Sequence, residues 1–214
     1  MFEKNKVYLN VNGIEKLVNK ENELPSGLKL VIRGENNIVK LGSDCRFNGA
    51  IISVTNNFSN IKIGDKCVFN NIVLDINSGE KQSLEIGKGT TFFGGRVVLR
   101  DNSKIKIGEN CLFADALKMW ATDGHTVFDL ETKEVVNNTP ELLMIGNHCW
   151  IGGGVTILKN GSLPDETVVS AESVVTKTFI ETNTVIGGNP AKILKRGIGW
   201  DRSTILNYKK NLKK

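Results

Sequence analysis

His125 is one of only two histidines in 214 residues. It lies in Asp123-Gly124-His125-Thr126-Val127-Phe128-Asp129, with Glu131, Glu134 and Glu141 further along the same stretch. Imidazole titrates near neutral pH, so a neutral ring can take the proton of a poorly nucleophilic hydroxyl as that oxygen attacks. A carboxylate on the other ring nitrogen can fix the tautomer, as in a Ser-His-Asp set but here without the serine. Asp123 and Asp129 are the candidates, with Glu141 behind them, and spacing does not choose among the three. The plainer alternative is that His125 is a polar loop residue.

Other residue types bear on the same chemistry. Trp150 precedes Gly152, Gly153 and Gly154 in WIGGG. An indole can line a ligand site and offer its N–H, and glycines let a ligand or another backbone come close. The alternatives are a surface or interface aromatic and tight turns. His148 is the fourth residue of IGNHC, a slot held elsewhere by Asp44, Lys66, Gly89, Asn110 and Glu166, and it reads as a surface histidine. Cys45, Cys67, Cys111 and Cys149 each stand four residues after the aliphatic member of an aliphatic-Gly pair, where IGKGT places Thr90, and Thr167 follows one register later. Cysteine alternating with threonine is a buried filler rather than a redox pair. No two have CxxC spacing, and two histidines are too few for a three-histidine zinc site, so no metal is expected.

The elements that must carry these residues show in a six-residue repeat. Aliphatic residues recur at Ile145, Ile151, Ile157, Leu163, Val169 and Val175. A period of six fits neither an α-helix nor an ordinary sandwich strand, and it marks a solenoid with one short strand per side. Aliphatic-Gly marks at Leu41, Ile63, Ile86, Ile107 and Ile145 are 22, 23, 21 and 38 residues apart, and Leu163 follows after 18. Three hexads make one triangular coil of 18 residues. Earlier coils carry a few extra residues at a corner, and the step of 38 holds a 20-residue insertion. A second column runs through Phe47, Phe69, Phe92 and Phe113 to Ile151 and Val169. Such a column stacks inside the solenoid at the spacing of paired strands, about 4.8 Å.

The insertion lies between Met119 and Met144 and contains His125. Solenoid insertions leave as loops on one face, which is often the working face. The predicted organisation is an opening coil or cap over 1–30, the solenoid over 31–190 with the loop at about 120–143, and a tail over 191–214. That tail reads as an extended return segment and a short helix from Asp201, ending in solvated lysines.

Composition is that of a globular protein, 40% hydrophobic and 24% charged, with 22 Gly and 4 Pro. The opening MFEKNKVYLNVNG has no apolar core or cleavage-like site, and no stretch approaches a membrane span. A cytoplasmic protein is expected. The net charge of +5 leaves room for an acidic polymer as ligand. No aromatic–basic interleaving points to nucleic acid.

The loop Asp123–Asp129, then WIGGG, then Gly187-Gly188-Asn189-Pro190-Ala191-Lys192, resembles in order and spacing the hexapeptide-repeat sugar O-acetyltransferases, especially those acting on capsular polysaccharides such as polysialic acid. That resemblance implies an all-β fold: a left-handed parallel β-helix of hexapeptide repeats with an extended catalytic loop and a short C-terminal extension. It implies acetyl-CoA as donor, His125 as base, Trp150 beside it, and direct transfer to a hydroxyl of a surface-polysaccharide sugar, sialic acid in a capsule among the options. It places pantetheine along Gly152, Gly153 and Gly154. It places the nucleotide end near Thr176, Lys177, Asn189, Pro190, Lys192, Lys195 and Arg196, whose cations suit phosphates. It also implies a homotrimer acting on an acidic or neutral glycan. The alternatives are N-acetylation of an amino sugar nucleotide, acetylation of an antibiotic, and a non-catalytic β-helix scaffold.

Overall fold

The structure is a computed structural model describing residues 2–137 and 142–213. The chain winds as a three-sided parallel solenoid. Face one stacks Lys6–Val11, Ile38–Leu41, Asn60–Ile63, Ser83–Ile86, Lys104–Ile107 and Leu143–Ile145. Face two stacks Arg46–Asn48, Val68–Asn70, Thr91–Phe92, Leu112–Phe113, Trp150–Ile151, Val168–Val169 and Thr184–Gly187. Face three stacks Leu28–Ile32, Ala50–Val54, Ile72–Ile76, Gly95–Leu99, Leu117–Trp120, Thr156–Ile157 and Val174–Val175. The chain visits face one, then two, then three, and pairs each strand with its counterpart one coil away.

Strands this short are held by stacking. Face-one strands alternate exposed and buried, as in Asn60–Ile63 and Lys104–Ile107, so each adds two aliphatic side chains to the interior. The repeat marks pair in register: Leu41 with Ile63, Ile63 with Ile86, Ile86 with Ile107, and Ile107 with Ile145. Leu163 bridges Ile145 in the next coil. On face two the rings of Phe47, Phe69, Phe92 and Phe113 stack at centroid distances of 5.2, 5.4 and 4.5 Å. Burying one such side chain contributes about 1.5–3 kcal/mol.

The corner between faces one and two explains two sequence columns. Asp44, Lys66, Gly89, Asn110, His148, Glu166 and Asn183 occupy it with φ between 50 and 67°. Their side chains point away from the interior, which is why the slot accepts polar residues of any kind. Beside them the cysteine column points inward as a row of donors. The Sγ atoms of Cys45, Cys67 and Cys111 reach the carbonyl oxygens of Gly64, Gly87 and Gly146 at 3.2, 3.2 and 3.1 Å. Cys149 reaches Pro164 O at 3.2 Å, and Thr90 Oγ1 donates to Gly108 O at 2.9 Å. All four cysteines are free thiols.

The extra residues of the early coils all fall at one place, the corner from face three back to face one. They are 55–59, 77–82 and 100–103, and the long insertion leaves from that same corner after Trp120. Buried polar side chains fill it, because irregular backbone there has no ladder partner. Asn37 Nδ2 donates to Asn56 O at 2.8 Å, Ser59 N donates to Asn37 Oδ1 at 2.8 Å, and Asn56 donates to Gln82.

Both ends of the solenoid turn back. Ile14–Leu17 pairs antiparallel with Lys6–Val11, so the opening segment is a coil strand with a hairpin folded on it. Lys192–Arg196 pairs antiparallel with Thr184–Gly187. The chain then crosses face two and ends in a helix, Ile205–Asn211, capped by Thr204 Oγ1. No helix among the described residues is long and apolar enough to cross a membrane.

Candidate active site

The loop carrying His125 is fixed to the coils on both sides of it. Thr122, buried, donates from Oγ1 to Asp101 Oδ2 of the coil before at 2.6 Å and accepts from Gly124 N at 3.0 Å. Asp123 forms an ion pair with Lys159 of the coil after. Asn137 closes the loop from its far limb: its Nδ2 donates to Asp123 Oδ2 and to His125 O, both at 2.8 Å. Lys159, then Asn137, hold the Asp123 carboxyl below the usual carboxylate range. The segment between folds as a small hairpin in which Phe128 bridges Val135.

The backbone of His125 is therefore held while its side chain faces solvent. Its ring has no hydrogen-bond partner in this chain among the described residues. It borders a cleft of 160 Å³ lined also by Asp101, Thr122, Asp123, Thr126 and Asn137. Asp123 is occupied by Lys159 and Asn137. Asp129 accepts from Glu131 N and Thr132 N at 2.8 Å, which caps its own turn and keeps its carboxyl below the usual range. Glu141 lies outside the described residues.

Trp150 stands on face two, 42% exposed, between Leu112 and Val168 of adjacent coils. His125 leaves from a different corner, and no ring contact joins the two within one chain among the described residues. The companion of Trp150 is Trp200 from the tail, with ring centroids 6.0 Å apart. Trp200 lies flat on His148, 4.5 Å between centroids, and its Nε1 donates to His148 O at 2.7 Å. His148 Nδ1 meets Glu166 Oε2 at 2.7 Å. His148 is thus covered and paired, more than a solvated surface residue.

The glycines after Trp150 have reasons inside the coil. A Cβ on Gly152 would stand 2.7 Å from Ala171 N, and one on Gly153 would stand 3.0 Å from Asp115 Oδ1. Gly154 has φ +69°, and a Cβ there would collide with the Glu172 carboxyl. Their flatness also leaves the backbone beside Trp150 uncovered. Thr176, Lys177, Asn189, Pro190, Lys192 and Lys195 are all exposed on the last coils. Arg196 is paired with Glu181 at 2.6 Å, whereas Lys177, Lys192 and Lys195 have no ion pair among the described residues. Those three ammonium groups fit phosphates.

Buried thiols offer no nucleophile here. Cys149 is fully buried, and the Cys111 thiol beside it together with burial pushes its own thiol up. Among the described residues no group of three or more His, Cys, Asp or Glu is arranged to hold a metal ion.

Comparison with known proteins decides the family. A polysialic acid O-acetyltransferase of Neisseria meningitidis is 35% identical over 191 residues, 89% of this chain and 87% of its own. The chain belongs to the hexapeptide-repeat acetyltransferases. The solved polysialic acid O-acetyltransferase OatWY superposes with a TM-score of 0.76 at 30% identity, over 89% of this chain and 93% of that one. The polysialic acid-specific acetyltransferase NeuO gives a TM-score of 0.67 at 26% identity, over 85% of each chain. A further relative, an Escherichia coli polysialic acid O-acetyltransferase, is 32% identical over 60% of this chain but only 41% of its own length. No family model matches the chain. As in this family, the solenoid is the left-handed β-helix and the chain is an acetyltransferase.

Some of what shapes this acetyltransferase's site was not readable from spacing. Asn137, Lys159 and Asp101 position the loop without belonging to any motif. Trp200 and Arg202 sit in a tail that composition marks only as basic. A tryptophan four residues beyond the return strand, Trp200, was the one available signal.

Proposed function

We propose that this chain transfers acetyl from acetyl-CoA to a hydroxyl of a sialic acid polymer. The observation that carries the reading is His125: a ring open to a cleft, on a backbone tied to the coils before and after it by Thr122 and Asp123 and braced within the loop by Asn137. A base held this way keeps its position while both nitrogens stay available to substrate and to a neighbouring subunit. Neutral His125 takes the proton of the sugar hydroxyl as its oxygen attacks, and Trp150 lines the acyl site. Acetyl-CoA supplies the activated acetyl group, and its thiol departs. Transfer is direct, since the nearby Cys149 is inward and hydrogen-bonded. Gly152, Gly153 and Gly154 accommodate pantetheine. Lys177, Lys192 and Lys195, with Thr176, Asn189 and Pro190, take the nucleotide phosphates. Asp123 secures the loop, and Asp129 secures its hairpin.

His125 and Trp150 stand apart in one chain, so the working unit is a homotrimer that brings them together between subunits. The exposed apolar side chains of the loop hairpin, Val127, Phe128, Leu130, Val135 and Val136, support this, because such a patch calls for cover. Polysialic acid is the acceptor named for the Neisseria meningitidis relative, and the net charge of +5 suits an acidic polymer. Four free thiols fit a reducing cytoplasm.

The test is incubation with acetyl-CoA and a panel of capsular polysaccharides, following CoA release and locating the new ester by NMR. Release with polysialic acid and an alkali-labile product support the reading. An alkali-stable amide product, or no release with any glycan, overturns it.

A further inference from the structure

The tail builds a second cavity that the loop chemistry does not use. Trp150, Gly199, Trp200, Asp201, Ser203 and the helix residues Ile205, Tyr208 and Lys209 line an open pocket of 440 Å³ on face two. Its placement is set by specific bonds. Trp200 is fixed flat on His148 by stacking and by its N–H. Arg202 then reaches back over two earlier coils: Nη1 donates to Thr91 Oγ1 at 3.1 Å, and Nη2 donates to Gly89 O at 3.0 Å and Cys111 O at 2.8 Å. A guanidinium bound three times holds its segment in one place.

We propose that this cavity receives a sugar ring of the acidic acceptor, with the ring against the indole of Trp200 and its carboxylate on Lys209. The proposal rests on the reading of the chain as a polysialic acid O-acetyltransferase and adds where the polymer lies. Three observations choose the acceptor over the cofactor. Lys177, Lys192 and Lys195, cations without an ion pair among the described residues, stand on coils after Trp150, so the nucleotide end of the donor runs toward the C-terminal coils. Arg202 carries the tail the other way, onto the coils of Thr91 and Cys111, so the second substrate meets Trp150 from the opposite end. The lining itself combines two indoles, a phenol, the Lys209 ammonium and the Asp201 carboxylate, which suits a ring with an apolar face, hydroxyls that donate to Asp201 and one negative charge for Lys209. Tyr208 and Asp201 supply partners for the hydroxyls.

The experiment is steady-state kinetics of W200A, W200F, K209A and K209R with acetyl-CoA and polysialic acid, and with polysialic acid whose carboxyls have been amidated. W200A and K209A should raise KM for polysialic acid about tenfold while KM for acetyl-CoA stays within about twofold, because only one substrate touches the pair. W200F and K209R should stay close to the parent. On the amidated polymer the K209A defect should vanish. Unchanged KM for polysialic acid in both alanine variants overturns the proposal, as does a defect that appears in KM for acetyl-CoA instead. Persistence of the K209A defect on the amidated polymer overturns the carboxylate assignment. Should W200A fail to fold, K209A decides alone, since Lys209 is exposed and has no ion pair among the described residues. A parent enzyme that releases no CoA with polysialic acid overturns the proposed function itself, a result distinct from variants that match an active parent.

Discussion

Asn137 holds the carbonyl of His125 at 2.8 Å from twelve residues further along the chain, and the same side-chain amide reaches Asp123. One side chain thus joins the two limbs of the loop at the residue proposed as the base. The loop is positioned by polar clamps, with little packing to help.

Releasing those clamps should cost catalysis more than stability. Asn137→Ala and Lys159→Ala are expected to lower kcat/KM about tenfold or more, since misplacing a base by about 1 Å can cost a hundredfold. Their melting temperatures should stay near that of the parent, because the coils do not depend on the loop. A large drop in melting temperature with unchanged kinetics contradicts this.

Removing the proposed base should be more severe. His125→Ala is expected to lose about 10²–10⁴-fold in CoA release with polysialic acid, while acetyl-CoA binding measured by calorimetry survives. Full activity in that variant sinks the assignment of His125.

The pH behaviour of the clamp follows from Asp123. Lys159 and Asn137 depress its folded-state carboxyl below the ordinary value of about 3.9. A depressed carboxylate stabilises above its unfolded pKa and loses that contribution only as pH falls through the folded one. Limited proteolysis of the loop should therefore show equal protection at pH 7 and pH 5, with cleavage rising only below the usual carboxylate range. Loss of protection already at pH 5 to 6 contradicts the ion pair.

The donor column predicts which cysteine changes are tolerated. Cys67→Thr, and Cys149→Ser for catalysis as well as stability, should be near neutral, because Thr90 makes the same bond. Cys67→Val removes the donor from a buried carbonyl and should cost about 1–3 kcal/mol in urea unfolding. Complete loss of transfer in Cys149→Ser reopens a covalent route.

Gly152 separates the two uses of the WIGGG stretch. A Cβ there meets Ala171 N at 2.7 Å, so Gly152→Ala should lower thermal stability with no ligand present. An unchanged melting temperature with a raised KM for acetyl-CoA alone assigns the glycine to the ligand.

The interior was legible because burial imposes type at fixed intervals. Phe47, Phe69, Phe92 and Phe113 had to match one another, and their spacing revealed the coil length. The inserted loop that carries His125 was legible because it breaks that spacing. The structure adds that the break enlarges a corner already loose in three earlier coils, an excess visible in their lengths but with no place assigned to it. The clamps were not legible: Lys159 lies 36 residues from Asp123, and Arg202 lies 91 from Cys111. Such pairs meet only once coils are stacked, and neither side chain is buried enough to leave a pattern. The contacts of Asp123 and Asp129 were not legible either, since proximity in sequence to His125 does not show which backbone amides or ammonium groups a loop needs a carboxylate for.

A parallel ladder is open-ended by construction, since each last strand offers bare amides and carbonyls to any further strand. Here Ile14–Leu17 lies across the first strand of face one, and Lys192–Arg196 lies across the last strand of face two, each running in the opposite sense. On those two edges the parallel register of the repeats gives way to an antiparallel strand. A second solenoid stacked there would meet a strand running against its own, so those two ladders cannot simply be extended by a further copy of the repeat.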